Sequence, residues 1–386
     1  METAEVVIAG AGIIGLSLAL ELASRGVSVT ALERGRAMSE SSWAAAGMLA
    51  GADPENPPQL NKLARLSLDL YPDFLAQIEP LSRKKVPLRT QAAIQPLHDP
   101  DANCSNSRKL TLAEVQALVP GFRCRHDSFL LLDEASLDPR DLCAALPVAA
   151  AAAGARLIED SPVISVDIEN TGIVVRTAAS AIAAKHFVNC AGAWAESRSL
   201  GRMPTGHPRV NPAKGQMTTV RLRGSEMLTH VLRTPEIYLV PRGDGRVTVG
   251  ATVEDAGYDK SVDPYAIAGL LKAAAELWPP IAEAEILESW AGLRPGSSDQ
   301  LPLIGPSLEP NTWIATGHFR NGILLAPGSA RLLAQLISGE TPEIDPAPFA
   351  PDRTKPETKA QNGTAIGRPL DRLVPSASDN RSIAAL

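Results

Sequence analysis

Val6-Val7-Ile8-Ala9-Gly10-Ala11-Gly12-Ile13-Ile14-Gly15 is the stretch that decides the fold of this chain. Its first four residues form a short apolar run, as in a buried parallel strand. The next six match Gly-x-Gly-x-x-Gly. Gly10 permits a tight turn, Gly12 lets backbone N–H groups approach a pyrophosphate, and Gly15 lets the following helix pack closely on the strand. Residues 16–25 are good helix formers, and Gly26 ends the helix. Residues 27–33 read as a second strand. It closes on Glu33, eighteen residues after Gly15, where an acid accepts a ribose hydroxyl hydrogen bond. The helix N-terminus favours an anion. The unit binds a dinucleotide, and by itself it does not choose between a nicotinamide and a flavin.

The segment that follows points to the flavin. A nicotinamide-binding chain would run straight into further β-α units, whereas this one enters Ser41-Ser42-Trp43 and then Ala44-Ala45-Ala46-Gly47-Met48. Small residues let backbone amides lie against a planar ring, and the two serines can reach phosphate. A second glycine turn opens a helix near the other end: Gly317-His318-Phe319-Arg320-Asn321-Gly322-Ile323-Leu324. Its N-terminal dipole would stabilise negative charge on a reduced flavin. FAD is therefore the expected cofactor. Arg294, in Gly292-Leu293-Arg294-Pro295-Gly296, and Arg320 sit in turn-rich contexts and suit bidentate binding of a carboxylate. Tyr238 could add a phenolic donor. On spacing alone, a surface ion pair for either arginine, a core tyrosine and a structural histidine at His318 all stay open.

The order of elements implies an α/β fold: a Rossmann-like FAD-binding lobe with an inserted antiparallel-sheet substrate lobe. Residues 1–50, 137–200 and 286–342 are assigned to the cofactor lobe, and 51–136 and 201–285 to the substrate lobe. Residues 209–253 are rich in β-formers and turns and read as an antiparallel sheet. Helices are expected over 60–79, with a break at Pro72, and over 137–153, with a kink at Pro147. From residue 343 to 386 Pro, Ser, Thr and charge dominate, and a disordered tail is expected.

Bulk properties exclude several classes. The 386 residues are 45% hydrophobic and 21% charged with net charge -6, ordinary for a globular protein and unsuited to nucleic acid. No apolar run approaches a membrane span, so no membrane association is expected. Cys104, Cys124, Cys143 and Cys190 form no CxxC pair and no zinc spacing, which leads to the expectation of a reducing cytoplasm and no metal.

The chain resembles the glycine oxidases of thiamine biosynthesis, in the D-amino-acid oxidase superfamily. The resemblance is carried by Gly-Ala-Gly-Ile-Ile-Gly at 10–15, Ser-Trp-Ala-Ala-Ala-Gly-Met-Leu at 42–49, Ala-Gly-Leu-Arg-Pro-Gly at 291–296 and Gly-His-Phe-Arg-Asn-Gly-Ile-Leu-Leu-Ala-Pro at 317–327. It implies that Ile13, Ile14, Glu33, Arg34, Ser41, Ser42, Ala46, Gly47 and Met48 contact FAD, that Val163 lies at its adenine side, and that residues 318–324 surround the flavin. It implies Arg294 as the partner of the substrate carboxylate, with Tyr238 and Arg320 as helpers. It further implies a small amino-acid substrate, oxygen as acceptor, a homo-oligomer, and hydride transfer to the flavin with no catalytic side chain. Glu236 and Val253 stand where the best-known members have histidine and methionine. Two other readings stay open: a quinone-linked dehydrogenase of D-amino or N-methyl amino acids, and a non-catalytic FAD-bound module.

Overall fold

The computed structural model describes residues 1–97, 107–169, 172–201, 208–224 and 227–353. Cys104 and residues 354–386 of the expected tail lie outside them. One side of the molecule is built on a sheet with spatial order Leu303–Pro306, Thr312–Thr316, Ala181–Asn189, Glu2–Ala9, Val29–Leu32 and Arg156–Ile158. Glu2–Ala9 lies at its centre, parallel to Ala181–Asn189 on one side and to Val29–Leu32 on the other. The run Val6, Val7 and Ile8 is buried because both sheet faces are covered. Helices Ile13–Ser24, Asn61–Ser82, Pro139–Ala152 and Gly322–Ser338 pack together on one of them.

A second, eight-stranded sheet carries the other side of the molecule. Its order is Glu285–Ser297, Val210–Arg221, Arg246–Gly250, Tyr238–Pro241, Val231–Arg233, Ala93–Pro96, Ser128–Leu132 and Ser107–Thr111. Pairing is antiparallel except between Val231–Arg233 and Ala93–Pro96. Helix Pro264–Leu277 covers one face through Ile267, Leu270 and Leu277. Glu285–Ser297 is the edge strand of this sheet, it contacts Gly192–Trp194 and Phe319–Asn321, and it carries Arg294.

Two expectations change. Helix Asn61–Ser82 runs through Pro72 without ending; Pro72 is exposed, so the carbonyl it leaves without an N–H partner can be met by water. The expected helix over 137–153 is present as Pro139–Ala152, with Pro147 inside it. Residues 343–353 belong to the packed structure. Phe349 is buried in the helical core, Gln335 exchanges hydrogen bonds with Glu343, and Arg353 forks onto Asp299 at 2.8 and 2.9 Å. Composition misleads here because one buried aromatic and one bidentate ion pair suffice to hold a proline-rich segment.

Candidate active site

The glycine turn is shaped by steric limits. Gly10 has φ +102°, and a Cβ there would lie 2.5 Å from the Cys190 carbonyl oxygen. A Cβ on Gly15 would lie 2.0 Å from the Gly10 oxygen, so the helix can start this close to the strand only with glycine. Helix Ile13–Ser24 has no side-chain cap from Gly12, and Gly12, Ile13 and Ile14 at its start line a cavity. Ser42 Oγ accepts from the Ile13 N–H at 2.9 Å, which keeps the hydroxyl proton for an acceptor in the cavity. Glu33 is buried behind the turn, where it accepts from Ala11 N at 2.8 Å and Gly35 N at 3.1 Å. A carboxylate has lone pairs left after two such bonds.

The strip from Ala44 to Met48 lines the same cavity. The Trp290 indole donates to the Ala44 carbonyl, and Arg242 donates to the carbonyls of Ala46 and Leu137, both at 2.9 Å. Burial pushes the Arg242 guanidinium down to about 10. Opposite this strip, helix Gly322–Ser338 begins at Asn321 with no side-chain cap, and Tyr71 fixes its first turn by donating to the Ile323 carbonyl at 2.6 Å. Two helix N-termini thus converge on one cavity of about 1510 Å³, open mouth included. Such a pair fits a pyrophosphate at one end and, at the other, a ring that gains negative charge. The small-residue strip between them fits the ring's plane. The residues present therefore suit FAD.

The second sheet makes the floor of the cavity. Arg294 lies flat across Gly215, where a Cβ would be 2.1 Å from Nη1 and 2.4 Å from Cζ. Its Nη1 donates to the Thr252 carbonyl at 3.1 Å, and the same guanidinium is within hydrogen-bonding reach of the Tyr238 hydroxyl. Tyr238 lies across Gly250 in the same way, with its hydroxyl 3.5 Å from Met217 Sδ. Burial raises the Tyr238 phenol above its usual range, and the nearby Arg294 charge opposes this, so the phenol stays a donor at neutral pH. His318 is buried with Nε2 3.0 Å from Ser329 Oγ, and burial pushes it down to about 3. It is a neutral, engaged imidazole.

Of the residues singled out from sequence, Gly12, Ile13, Ile14, Ser41, Ser42, Ala46, Gly47, Met48, Tyr238, Arg294, His318, Phe319, Arg320, Asn321, Gly322 and Ile323 line this one cavity. Gly10, Gly15 and Glu33 form the turn behind it. Leu324 is buried in the helical core, and Val163 packs against a separate cluster that includes Ile173 and Phe187. Arg34 stacks on Trp194 at 3.6 Å and pairs with Glu40. The sequence reading missed a second charged group in the cavity wall. Arg233 is buried and donates to Gln95 and Glu134 at 2.8 and 2.9 Å, with Asp53 3.6 Å away. Burial raises the Glu134 carboxyl against the pull of that arginine. Next along the wall, Glu55 meets Arg320 at 3.5 Å and Asn56 accepts from Asn321 at 3.0 Å, so residues 53–56 roof the cavity. No local motif marks these residues; a charged residue ending an apolar strand, as in Val231-Leu232-Arg233, is the one signal present.

A dinucleotide-shaped cavity that ends in an arginine-bearing antiparallel floor defines a flavin-dependent oxidoreductase. Residues 5–336 match the family described as DAO, FAD dependent oxidoreductase, and the chain belongs to it. Among curated relatives it is similar to the glycine oxidase of Pseudomonas putida, 33% identical over 90% of this chain and 98% of that one. It is also 34% identical to the bifunctional protein ThiO/ThiG of Trichormus variabilis, over 87% of this chain and 53% of that one. Among solved structures it is similar to glycine oxidase from Geobacillus kaustophilus, with TM-score 0.85 and 30% identity over 92% of this chain and all of that one. Among the described residues no helix is long and apolar enough to cross a membrane.

Proposed function

We propose that this enzyme catalyses the oxidative deamination of glycine, with sarcosine or small D-amino acids as related substrates, in support of thiamine thiazole synthesis. Glycine, oxygen and water give glyoxylate, ammonia and hydrogen peroxide. The observation that carries the reading is Arg294, laid over Gly215 and tethered to the Thr252 carbonyl, facing the cavity floor beside Tyr238. The similarity to glycine oxidases and to ThiO/ThiG proteins supports it.

FAD, when bound, supplies the two-electron acceptor. The residues of the chain supply position. Arg294 offers its remaining N–H groups as a fork to the substrate carboxylate, and Tyr238 adds a neutral O–H donor. Together they fix the α-carbon and leave the amine to react unprotonated. His318 is engaged by Ser329 and takes no part in proton transfer. Rate enhancement then comes from orientation and from preorganised charge in a cavity shielded by residues 53–56. The three described cysteines are free, which suits a reducing cytoplasm. Exposed Ile286 and Leu287, on the outermost strand of the second sheet, suit a homo-oligomer that covers this edge.

Arg294→Ala tests the assignment. It should raise the glycine KM at least tenfold while the protein still purifies yellow, and peroxide should form in step with glyoxylate in the wild type. An unchanged KM removes Arg294 from the site, and turnover that needs a quinone in place of oxygen makes the enzyme a dehydrogenase.

A further inference from the structure

The segment joining Arg246–Gly250 to helix Pro264–Leu277 touches both ends of the site. At its start, the Thr252 carbonyl accepts from Arg294, and Ala251 and Val253 line the cavity. Glu254 is then bound to the floor strand by paired backbone bonds with Lys214 at 3.0 and 2.9 Å. Lys214, itself buried, reaches along the segment to Asp259 at 2.9 Å. At the far end the chain leaves the second sheet and lands on the cofactor side. The Tyr258 ring stacks on Trp194 at 5.6 Å with planes 27° apart, and its hydroxyl donates to the Ala193 carbonyl at 3.1 Å. Arg34 lies 3.6 Å from the Trp194 ring centre, extending the stack. Glu40 ties the assembly together by pairing with Arg34 at 2.9 Å and with Lys260 at 3.0 Å. Arg34 follows Glu33, the acid behind the dinucleotide turn, and Trp194 follows Gly192 of the cavity wall by two residues.

We infer that residues 251–263 form a strap that couples occupancy of the Arg294 carboxylate site to retention of FAD, with Tyr258 as a positioning residue acting through Trp194 and Arg34. The inference rests on the cofactor and substrate reading above. From Arg294 to the stack the links are a hydrogen bond, the strap's own chain and two ring contacts, and from the stack to the dinucleotide turn and cavity wall the link is chain connectivity through Glu33 and Gly192. A carboxylate on Arg294 fixes that side chain and, through the Thr252 carbonyl, the start of the strap. A fixed strap holds the Tyr258–Trp194–Arg34 stack against the wall on the dinucleotide side. By linkage, whatever the carboxylate adds to FAD retention, FAD adds to carboxylate affinity. Tyr258 is 54% exposed, so its role in a packed core is small and replacing it leaves the fold intact.

The test follows FAD release from diluted holoenzyme by the rise in flavin fluorescence, with and without acetate as a non-reacting carboxylate. In the wild type acetate should slow release at least fivefold. Tyr258→Ala should release FAD at least fivefold faster without acetate, and acetate should then change its rate less than twofold. Tyr258→Phe, which keeps the stack and loses only the hydroxyl, should behave as the wild type. Should the alanine variant not retain FAD through purification, Tyr258→Leu is measured in its place with the same expectation. Equal release from wild type and variant, or equal protection of both by acetate, overturns the strap. Failure of acetate to slow the wild type overturns the coupling, provided acetate competes with glycine in turnover. If it does not compete, the substrate reading fails instead, and release without acetate still decides whether Tyr258 holds FAD.

Discussion

Gly215→Ala is the substitution that probes the cavity floor most selectively. Gly215 has an ordinary strand conformation, so alanine fits the backbone without strain. The new Cβ would lie 2.1 Å from Arg294 Nη1, 2.3 Å from Nη2 and 2.4 Å from Cζ. Ordinary contact begins near 3.4 Å, so the guanidinium must withdraw by about 1.3 Å. That movement breaks the Nη1 bond to Thr252 and misaligns the fork. Hydrogen bonds to a charged group contribute roughly 1.5–3 kcal/mol, and each 1.4 kcal/mol is about tenfold in affinity. The glycine KM should therefore rise about 10- to 100-fold. FAD should still co-purify, and thermal stability should stay within about 1 kcal/mol because only the end of a partly exposed side chain moves. The assay is steady-state peroxide production against glycine concentration, with flavin absorbance as the control. The double variant Gly215→Ala/Arg294→Ala should be no worse than Arg294→Ala alone, since both remove one interaction. A KM within twofold of wild type, or additive effects in the double variant, would refute the reasoning.

Two further outcomes follow from the same geometry. Gly10→Ala combines a backbone φ of +102° with a Cβ 2.5 Å from the Cys190 oxygen, a backbone atom that cannot turn away; the variant should purify colourless, and full flavin content would count against the turn as the pyrophosphate cradle. His318 is held near 3 when folded against 6.5 when free, so between those values the unfolded chain binds one more proton and stability falls as pH falls. Unfolding free energies from urea titration should fall by up to about 1.4 kcal/mol per pH unit from this group below pH ~6.5, and His318→Gln should flatten the slope by one proton.

How much of this was legible depends on whether the chemistry is local in the chain. The glycine turn, Ser41 to Met48 and residues 318–323 are contiguous, and each carries its own reason in its residue types. They fall on one cavity. Arg294 could be singled out from its turn-rich setting, but its orientation could not. That depends on Gly215, which reaches it only because Ala213 pairs with Arg294 across an antiparallel register. Arg233 escaped notice for the same reason. Its partners Asp53, Gln95 and Glu134 come from three distant segments, and a lone arginine after two apolar residues reads as a surface group. Residues 343–353 were misread because composition reports average solvation, while Phe349 and Arg353 act as two specific anchors.

The most direct test of the central claim is an anaerobic titration of the holoenzyme with glycine, followed by flavin absorbance. The account predicts that glycine bleaches the oxidised flavin completely, that air restores it with one peroxide per flavin, and that Arg294→Ala needs at least tenfold more glycine for the same bleaching. A flavin that stays oxidised with glycine, sarcosine and small D-amino acids alike would contradict it.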